Sequence, residues 1–166
     1  MRLPFSPSAG HPIPVGSYKY NDMLVRYNMG QQRRLSGNIT TQFGQYYNGT
    51  YRLLSLSQGR YAILKQFSVE PRMTITQIDI PSGAFTTRQF GARSDYGFSP
   101  RMFASALLQY SSADHTFSSN VRYRWEYRPG SEFFVVYNEE RNTLTPSFPG
   151  LNNRALIVKV NRLFRY

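Results

Sequence analysis

From Tyr18 onward, the dominant period of apolar and polar residues along the chain is two. The segment from Asn120 to Arg128 shows this without error. One parity carries the apolar residues Val121, Tyr123, Trp125 and Tyr127, and the other carries Arg122, Arg124, Glu126 and Arg128. Because successive side chains of a strand point to opposite sides, this pattern predicts a β-strand with one apolar and one charged face.

Turn signals separate further segments of the same kind. Asn48-Gly49 is the strongest hairpin signal, and Pro129-Gly130 and Ser99-Pro100 mark other tight turns. Glu70-Pro71-Arg72 is expected to mark the boundary before the strand 73–80. We predict about nine strands: 18–28, 34–47, 50–67, 73–80, 85–98, 101–111, 117–128, 131–139 and 153–166, of which 50–67 is one long strand or two. The predicted fold class is all-β, an antiparallel meander.

Residues 1–17 differ in composition from the rest. They contain Pro4, Pro7, Pro12, Pro14 and two glycines, which predicts an irregular leader or linker rather than a packed element. We therefore expect two parts, the leader 1–17 and a β segment over 18–166. No apolar run reaches the ~18 residues of a transmembrane helix, and the first residues lack the apolar core of a secretory signal. If the protein works outside the cytoplasm, this chain is expected not to be the whole gene product.

The lengths of the connections favour one class of β-protein. Those near Ser99 and Gly130 are short, whereas 111–116 and 140–152 are longer and polar. Short turns on one side and longer loops on the other are typical of outer-membrane barrels. In such a barrel, Val121, Tyr123, Trp125 and Tyr127 would face lipid or form an aromatic girdle, and Arg122, Arg124, Glu126 and Arg128 would face the lumen.

The end of the chain has the pattern of a barrel assembly signal. Leu156, Val158, Val160, Phe164 and Tyr166 share one parity of the last segment, which Arg162 interrupts. A final aromatic in an alternating strand is similar to the C-terminal signal of bacterial outer-membrane barrels. We therefore expect Phe164 and Tyr166 to engage the barrel-assembly machinery.

Composition excludes several classes and leaves one rival open. The chain has no Cys, which excludes a disulfide scaffold and a cysteine-based metal site. Hydrophobic residues make up 40% and aromatic residues 16%, too many for a disordered coil. The net charge of +11 is compatible with a soluble, basic, all-β domain that binds nucleic acid, which is the alternative function. A stacking platform needs rings and guanidinium groups on one surface, and the alternation separates them.

Several stretches resemble a known family. They are Phe98-Ser99-Pro100-Arg101, Gln109-Tyr110, Arg124 to Ser131, Val136-Tyr137-Asn138, Asn153 to Leu156 and Arg165-Tyr166. These resemble the C-terminal part of the domain-of-unknown-function 5916 family, over roughly residues 13–166. The resemblance implies a bacterial outer-membrane barrel whose full-length relatives often carry an N-terminal family 9-like carbohydrate-binding domain. That domain has no counterpart in this chain, and no residue here supports a hydrolase role of a longer parent.

Candidate chemistry is sparse. His11 and His115 lie in polar or Pro-rich stretches, so we predict no metal site and no cofactor. Glu126 is expected to pair with neighbouring arginines, and Glu139-Glu140 to lie in a solvated loop or on opposite faces of a strand. Nucleophile-elbow, phosphate-loop and dinucleotide motifs are absent from the sequence. We therefore predict no catalytic residues and a non-enzymatic protein.

The expected protein is a membrane scaffold or conduit in the bacterial outer membrane. Its expected partners are outer-membrane lipid, lipopolysaccharide and the remaining strands of a larger barrel. Single-chain bacterial barrels have even strand numbers, so about nine strands favour the C-terminal part of a larger barrel over a closed eight-stranded one. A part of a barrel should leave the first strand, 18–28, with an unpaired edge.

Overall fold

A computed structural model describes residues 12–30, 35–144 and 150–164, which form one antiparallel sheet of nine strands. The strands are β1 (Asp22–Met29), β2 (Leu35–Tyr46), β3 (Gly49–Leu64), β4 (Phe67–Ile80), β5 (Gly83–Ser99), β6 (Met102–Ser111), β7 (Thr116–Arg128), β8 (Ser131–Asn142) and β9 (Gly150–Asn161). Each strand pairs with the next along the chain. The prediction of an all-β antiparallel meander with about nine strands is confirmed.

The sheet is open within the described residues. β1 pairs with β2, β9 pairs with β8, and β1 is not hydrogen-bonded to β9. The edge of β1 is therefore unpaired, as expected for part of a larger barrel. A closed eight-stranded barrel is not the arrangement of these nine strands.

The predicted boundary at Glu70-Pro71-Arg72 is wrong, because these residues lie inside β4. The turn before β4 is instead formed by Lys65 and Gln66. A proline lacks the backbone N–H that a central strand needs, and it is tolerated beside a bulge. β3 supplies that irregularity: its register with β4 shifts between Leu56 and Tyr61. Gly59 lies in this shift, and a Cβ there would stand 3.1 Å from the carbonyl oxygen of Pro71.

We call the two ends of the sheet the turn end and the loop end. The turn end has the two-residue turns 65–66, 100–101 and 129–130, and the loop end has the connections 112–115 and 143–149. The predicted contrast in length holds for these, but not across the whole sheet. Two further connections at the loop end, 47–48 and 81–82, are also only two residues long.

The sheet is a single layer with very little enclosed core. Among the described residues, the buried apolar side chains are Ile13, Ile78, Ile80 and Val136. Large apolar side chains such as Tyr27, Leu156 and Val160 are 60–66% exposed. A sheet in a soluble domain packs its apolar face against a second layer, and the described residues provide no such layer. A soluble sandwich is therefore not the observed architecture.

The first described segment, 12–20, has the irregular backbone expected of a leader, but it is packed. Ile13 is 0% exposed and contacts Ile78 and Ile80 of β4. Residues 1–11 of the predicted leader lie outside the described residues. The burial of Ile13 was missed because a lone apolar residue between two prolines gives no periodic signal.

Candidate functional site

Strand pairing assigns each side chain to one of two faces, because directly paired residues lie on the same side of a sheet. The aromatic face contains Val121, Tyr123 and Trp125 of β7 together with their partners. These partners are Met102, Ala104 and Ala106 of β6 and Phe133, Val135 and Tyr137 of β8. The polar face contains Arg122, Arg124 and Glu126 with their partners on β6 and β8. The apolar face thus extends across neighbouring strands, whereas the polar face also carries the apolar partners Phe103, Phe134 and Val136.

Rings border the aromatic face at both ends. Towards the turn end lie Tyr27, Tyr61, Phe67, Tyr96, Phe98, Trp125 and Phe133, and towards the loop end lie Phe43, Phe90, Tyr110, Phe117 and Tyr137. Several of these rings contact each other. Tyr96 and Phe98 are 4.7 Å apart between centroids, and Phe90 stacks on Tyr110 at 6.3 Å.

The strip between these two rows is mainly aliphatic, with Thr41, Ser94 and Tyr123 as exceptions. Its members include Val25, Ile39, Leu54, Val69, Ala92, Ala106, Leu108, Val121, Val135, Leu156 and Val158. Along β6, Met102 and Tyr110 are separated by eight residue steps, which is about 26 Å of strand. A strand tilted by about 40° would reduce this to a height of about 20 Å, close to the apolar band of an outer-membrane barrel.

The polar face carries ion pairs near the turn end. Arg93 and Asp95 form one at 3.1 Å, and Arg124 pairs with Glu132. Glu126 was expected to pair with the arginines, but its carboxylate accepts a hydrogen bond from the backbone N–H of Gly130 at 3.0 Å. It therefore anchors the β7–β8 turn. The register shifts between Glu126 and Arg128, so Arg128 pairs with Ser131 at this turn rather than continuing the row.

Towards the loop end most side chains of the polar face are neutral; the charged exceptions are Asp22 of β1, Glu140 of β8 and Asp114 in the adjoining connection. Asn120 donates a hydrogen bond to Asn138, and Arg122 donates to the same Asn120 side chain at 2.8 Å. Ser55 and Thr74 are hydrogen-bonded across β3 and β4 at 3.3 Å. An open hollow nearby is lined by Thr74, Gln89, Gly91, Gln109, Ser111, Thr116 and Ser118, among others. This part of the face offers hydroxyl and amide groups to water or to a neutral polar solute.

A third zone of the polar face is covered by the segment 12–20. Ile13 packs there with Ile78 and Ile80, and several partly buried aromatic side chains surround the three isoleucines. The Tyr18 hydroxyl donates to the Pro14 carbonyl at 2.5 Å, and the Tyr18 and Tyr47 rings meet edge to face at 5.3 Å. Desolvation raises the pKa of Tyr20, and the neighbouring Tyr47 raises it further. The side chains packed over this zone are apolar or aromatic, and Lys19 of the covering segment is exposed.

A charged cluster at the loop end of the aromatic face was not predicted. Glu139 lies in β8 rather than in a loop, and its side chain is 14% exposed. Its carboxylate accepts hydrogen bonds from Tyr137, Arg141 and Arg154, the last with a closest N–O distance of 2.9 Å. The parity shared by Glu139 and Arg141 was visible in the sequence. The contribution of Arg154 depends on the pairing of β8 with β9.

The predicted assembly signal is only partly described. β9 ends at Asn161, so Phe164 lies beyond the strand with 63% of its surface exposed, and the Arg162 guanidinium sits 4.8 Å from its ring centroid. Tyr166 lies outside the described residues.

Membrane-spanning helices and metal-ligand clusters are both absent from the described residues. They contain no helix long and apolar enough to cross a membrane. No group of three or more His, Cys, Asp or Glu side chains within them is arranged to hold a metal ion. Comparisons with protein-family models, curated proteins and solved structures give no match. The resemblance to the domain-of-unknown-function 5916 family stays a prediction.

Proposed function

We propose that this sheet is part of the wall of a bacterial outer-membrane β-barrel, and that it acts as a non-enzymatic scaffold or conduit. In this arrangement the aromatic face contacts lipid and the polar face lines a wet lumen. The observation that carries the proposal is the aliphatic strip of the aromatic face, exposed and bordered by rings at both ends. Tyr and Trp rings rest at headgroup depth because they have an apolar body and a polar group, and both rows contain such residues, among them Trp125, Tyr96, Tyr110 and Tyr137.

The unpaired edges of β1 and β9 support a barrel that is completed by further strands. Every backbone N–H and C=O inside a bilayer must find a partner, since hydrocarbon offers none. The edges of β1 and β9 have none within the described residues. We therefore propose that other strands of a larger barrel pair with β1 and β9, and that lipid and lipopolysaccharide surround the outside.

Two adjacent leucines provide a matched test. Leu108 is 43% exposed on the aromatic face, whereas Leu107 is half-buried on the polar face. In a soluble protein, Lys at the exposed Leu108 would be tolerated better than Lys at Leu107. In a barrel the order is reversed, because Lys facing lipid costs about 2–4 kcal/mol at the bilayer midplane and less towards the interfaces.

The measurement is flotation of the chain with phosphatidylcholine vesicles, followed by protease resistance of the floated fraction. We expect Leu108→Lys to lose most of the protected fraction and Leu107→Lys to retain it. Equal behaviour of the two variants, the opposite order, or failure of the unchanged protein to float would contradict the proposal.

The rival function has one favourable observation of its own. Phe103 lies on the polar face with the Arg124 guanidinium 6.0 Å from its ring centroid, so a ring and a cation do share a surface there. This is one site of a kind that single-stranded nucleic acid can stack on. Salt-dependent retention of an oligonucleotide by detergent-free protein, abolished by Phe103→Ala, would favour nucleic-acid binding over a membrane role.

A further inference from the structure

Most strand arginines of the aromatic face occur at one end of it; the exception is Arg128 at the turn end of β7, which pairs with Ser131 of that face. The others described are Arg52 of β3, Arg88 of β5, Arg141 of β8 and Arg154 of β9, and all four lie towards the loop end. We call them the arginine row. At the turn end, Lys65, Arg101 and Arg128 lie in or beside the turns, whereas the strand positions that border the strip are aromatic or aliphatic.

The arginine row lies at the height of the loop-end rings. Arg52 pairs directly with Phe43, and Arg141 pairs with Phe117. Arg88 is two residues from Phe90 on the same face of β5. If these rings mark headgroup depth, the guanidinium groups beside them reach the phosphates of the surrounding lipid.

The charges of the row are only partly neutralised by the protein. Glu139 serves both Arg141 and Arg154, and the Arg154 side chain remains 50% exposed. Arg52 and Arg88 are exposed, and neither forms an ion pair within the described residues. Asp79 is the other carboxylate on this end of the face. Four arginines thus face two carboxylates on the strands of this face, and a third carboxylate, Asp114, lies in the adjoining connection 112–115, so the excess is at least one positive charge.

In outer-membrane barrels the longer loops face the cell exterior, so the loop end of a barrel wall meets the outer leaflet. We infer that the arginine row binds phosphate groups of anionic lipid in this leaflet, of which lipopolysaccharide is the prime example. This inference rests on the proposed membrane function and adds the partner's chemistry and the end of the sheet that meets it. A guanidinium presents a planar fork of N–H donors that matches two phosphate oxygens at once. Arg52 and Arg88, which do not pair with Glu139, have the donors and the position to do this.

The opposite face supplies a matched control. Arg26 and Arg72 are also exposed, form no ion pair within the described residues, and lie on the polar face. The double variants Arg52→Gln/Arg88→Gln and Arg26→Gln/Arg72→Gln therefore remove equal charge from opposite sides of one sheet. Neither pair contacts Glu139.

The experiment compares phosphatidylcholine vesicles with vesicles in which part of the lipid is replaced by lipopolysaccharide. Binding of the chain is measured by flotation, with a third arm of phosphatidylcholine plus free inorganic phosphate. We expect lipopolysaccharide to strengthen vesicle binding of the unchanged protein. Arg52→Gln/Arg88→Gln should weaken that binding about 30-fold, from about fivefold per arginine near an anionic surface. Arg26→Gln/Arg72→Gln should leave it nearly unchanged.

The outcomes separate the two proposals. If the unchanged protein binds phosphatidylcholine vesicles but gains nothing from lipopolysaccharide, the inference is wrong and the membrane function stands. The inference would also be overturned if both double variants lost lipopolysaccharide-dependent vesicle binding equally. The same holds if free inorganic phosphate changed vesicle binding as much as lipopolysaccharide does. Failure to bind any vesicle would remove the membrane function and the inference with it.

Discussion

Two regions of the same sheet differ in how their polar face is covered. At the loop end of β2–β5 this face carries Ile78 and Ile80, and the segment 12–20 lies over them. In β6–β9 the same face carries Asn120, Asn138 and other polar side chains and stays open. Three of the four buried apolar side chains belong to the covered region.

This difference shows that one continuous sheet can be stabilised in two ways. The covered region gains free energy from apolar burial against a segment without regular structure. The open region depends on the backbone ladder and on side-chain contacts across strands, such as those of Glu139. Substitutions in the two regions should therefore have very different consequences.

The largest effect on stability is expected from removing the apolar contact of Ile13, which belongs to the covered region. Ile13→Ala is expected to lower the free energy of unfolding by about 2–5 kcal/mol, because a fully buried side chain leaves a cavity. Amide exchange should accelerate at the loop end of β2–β5 and stay unchanged in β7–β9. Val15→Ala is the control, since Val15 is 56% exposed and its loss should matter little. Uniform acceleration across all strands would show that the cover does not act locally.

Substitution by Ala should have very different effects on stability at two glycines that begin strands at the loop end. A Cβ at Gly49 would lie 2.0 Å from the Asp79 carbonyl oxygen, whereas a Cβ at Gly150 meets no atom of the described residues within 4 Å. Gly49→Ala therefore forces β3 and β4 apart and should cost about 1–3 kcal/mol, while Gly150→Ala should be nearly neutral. Urea unfolding in detergent would measure both. A similar midpoint for the two variants would contradict the close packing of the covered region.

The smallest effect is expected at Glu139 in the open region. Glu139→Gln removes the charge that Arg141 and Arg154 share, so β8 and β9 should separate more readily at low salt. Glu140→Gln is the matched control on the opposite face, where its partner is Asn152 at 3.4 Å. Melting temperatures at low and high salt would test this. A salt-independent loss in the Glu139 variant would mean that packing, not charge, holds these strands.

The strands were predictable because their information is local. Alternation places the side chains from Asn120 to Glu126 correctly on one of two faces, although a register shift removes Arg128 from the row. Turn signals such as Pro129-Gly130 fall where chain reversals occur. The error at Pro71 arose because proline is usually a boundary, and only the neighbouring strand shows the irregularity that accommodates it.

The candidate sites were less predictable because they depend on register. The arginine row combines residues from β3, β5, β8 and β9, and each was a single basic residue in the sequence. Arg122 and Arg124 of the predicted lumen row share one face of the sheet, as the alternation predicted. The prediction that Glu126 pairs with these arginines was wrong. Arg124 pairs with Glu132 and not with Glu126, because Glu132 reaches it across the β7–β8 hairpin.

The outer edge of β9 has a practical consequence for anyone who handles the protein without lipid. Leu156, Ile157, Val158 and Val160 are 52–66% exposed, along a strand whose far edge has no partner among the described residues. Exposed, apolar edge strands are templates onto which another chain can add, strand by strand. In aqueous buffer, aggregation of this protein should be nucleated at β9 and should steepen with concentration, so detergent is needed from the first step of purification.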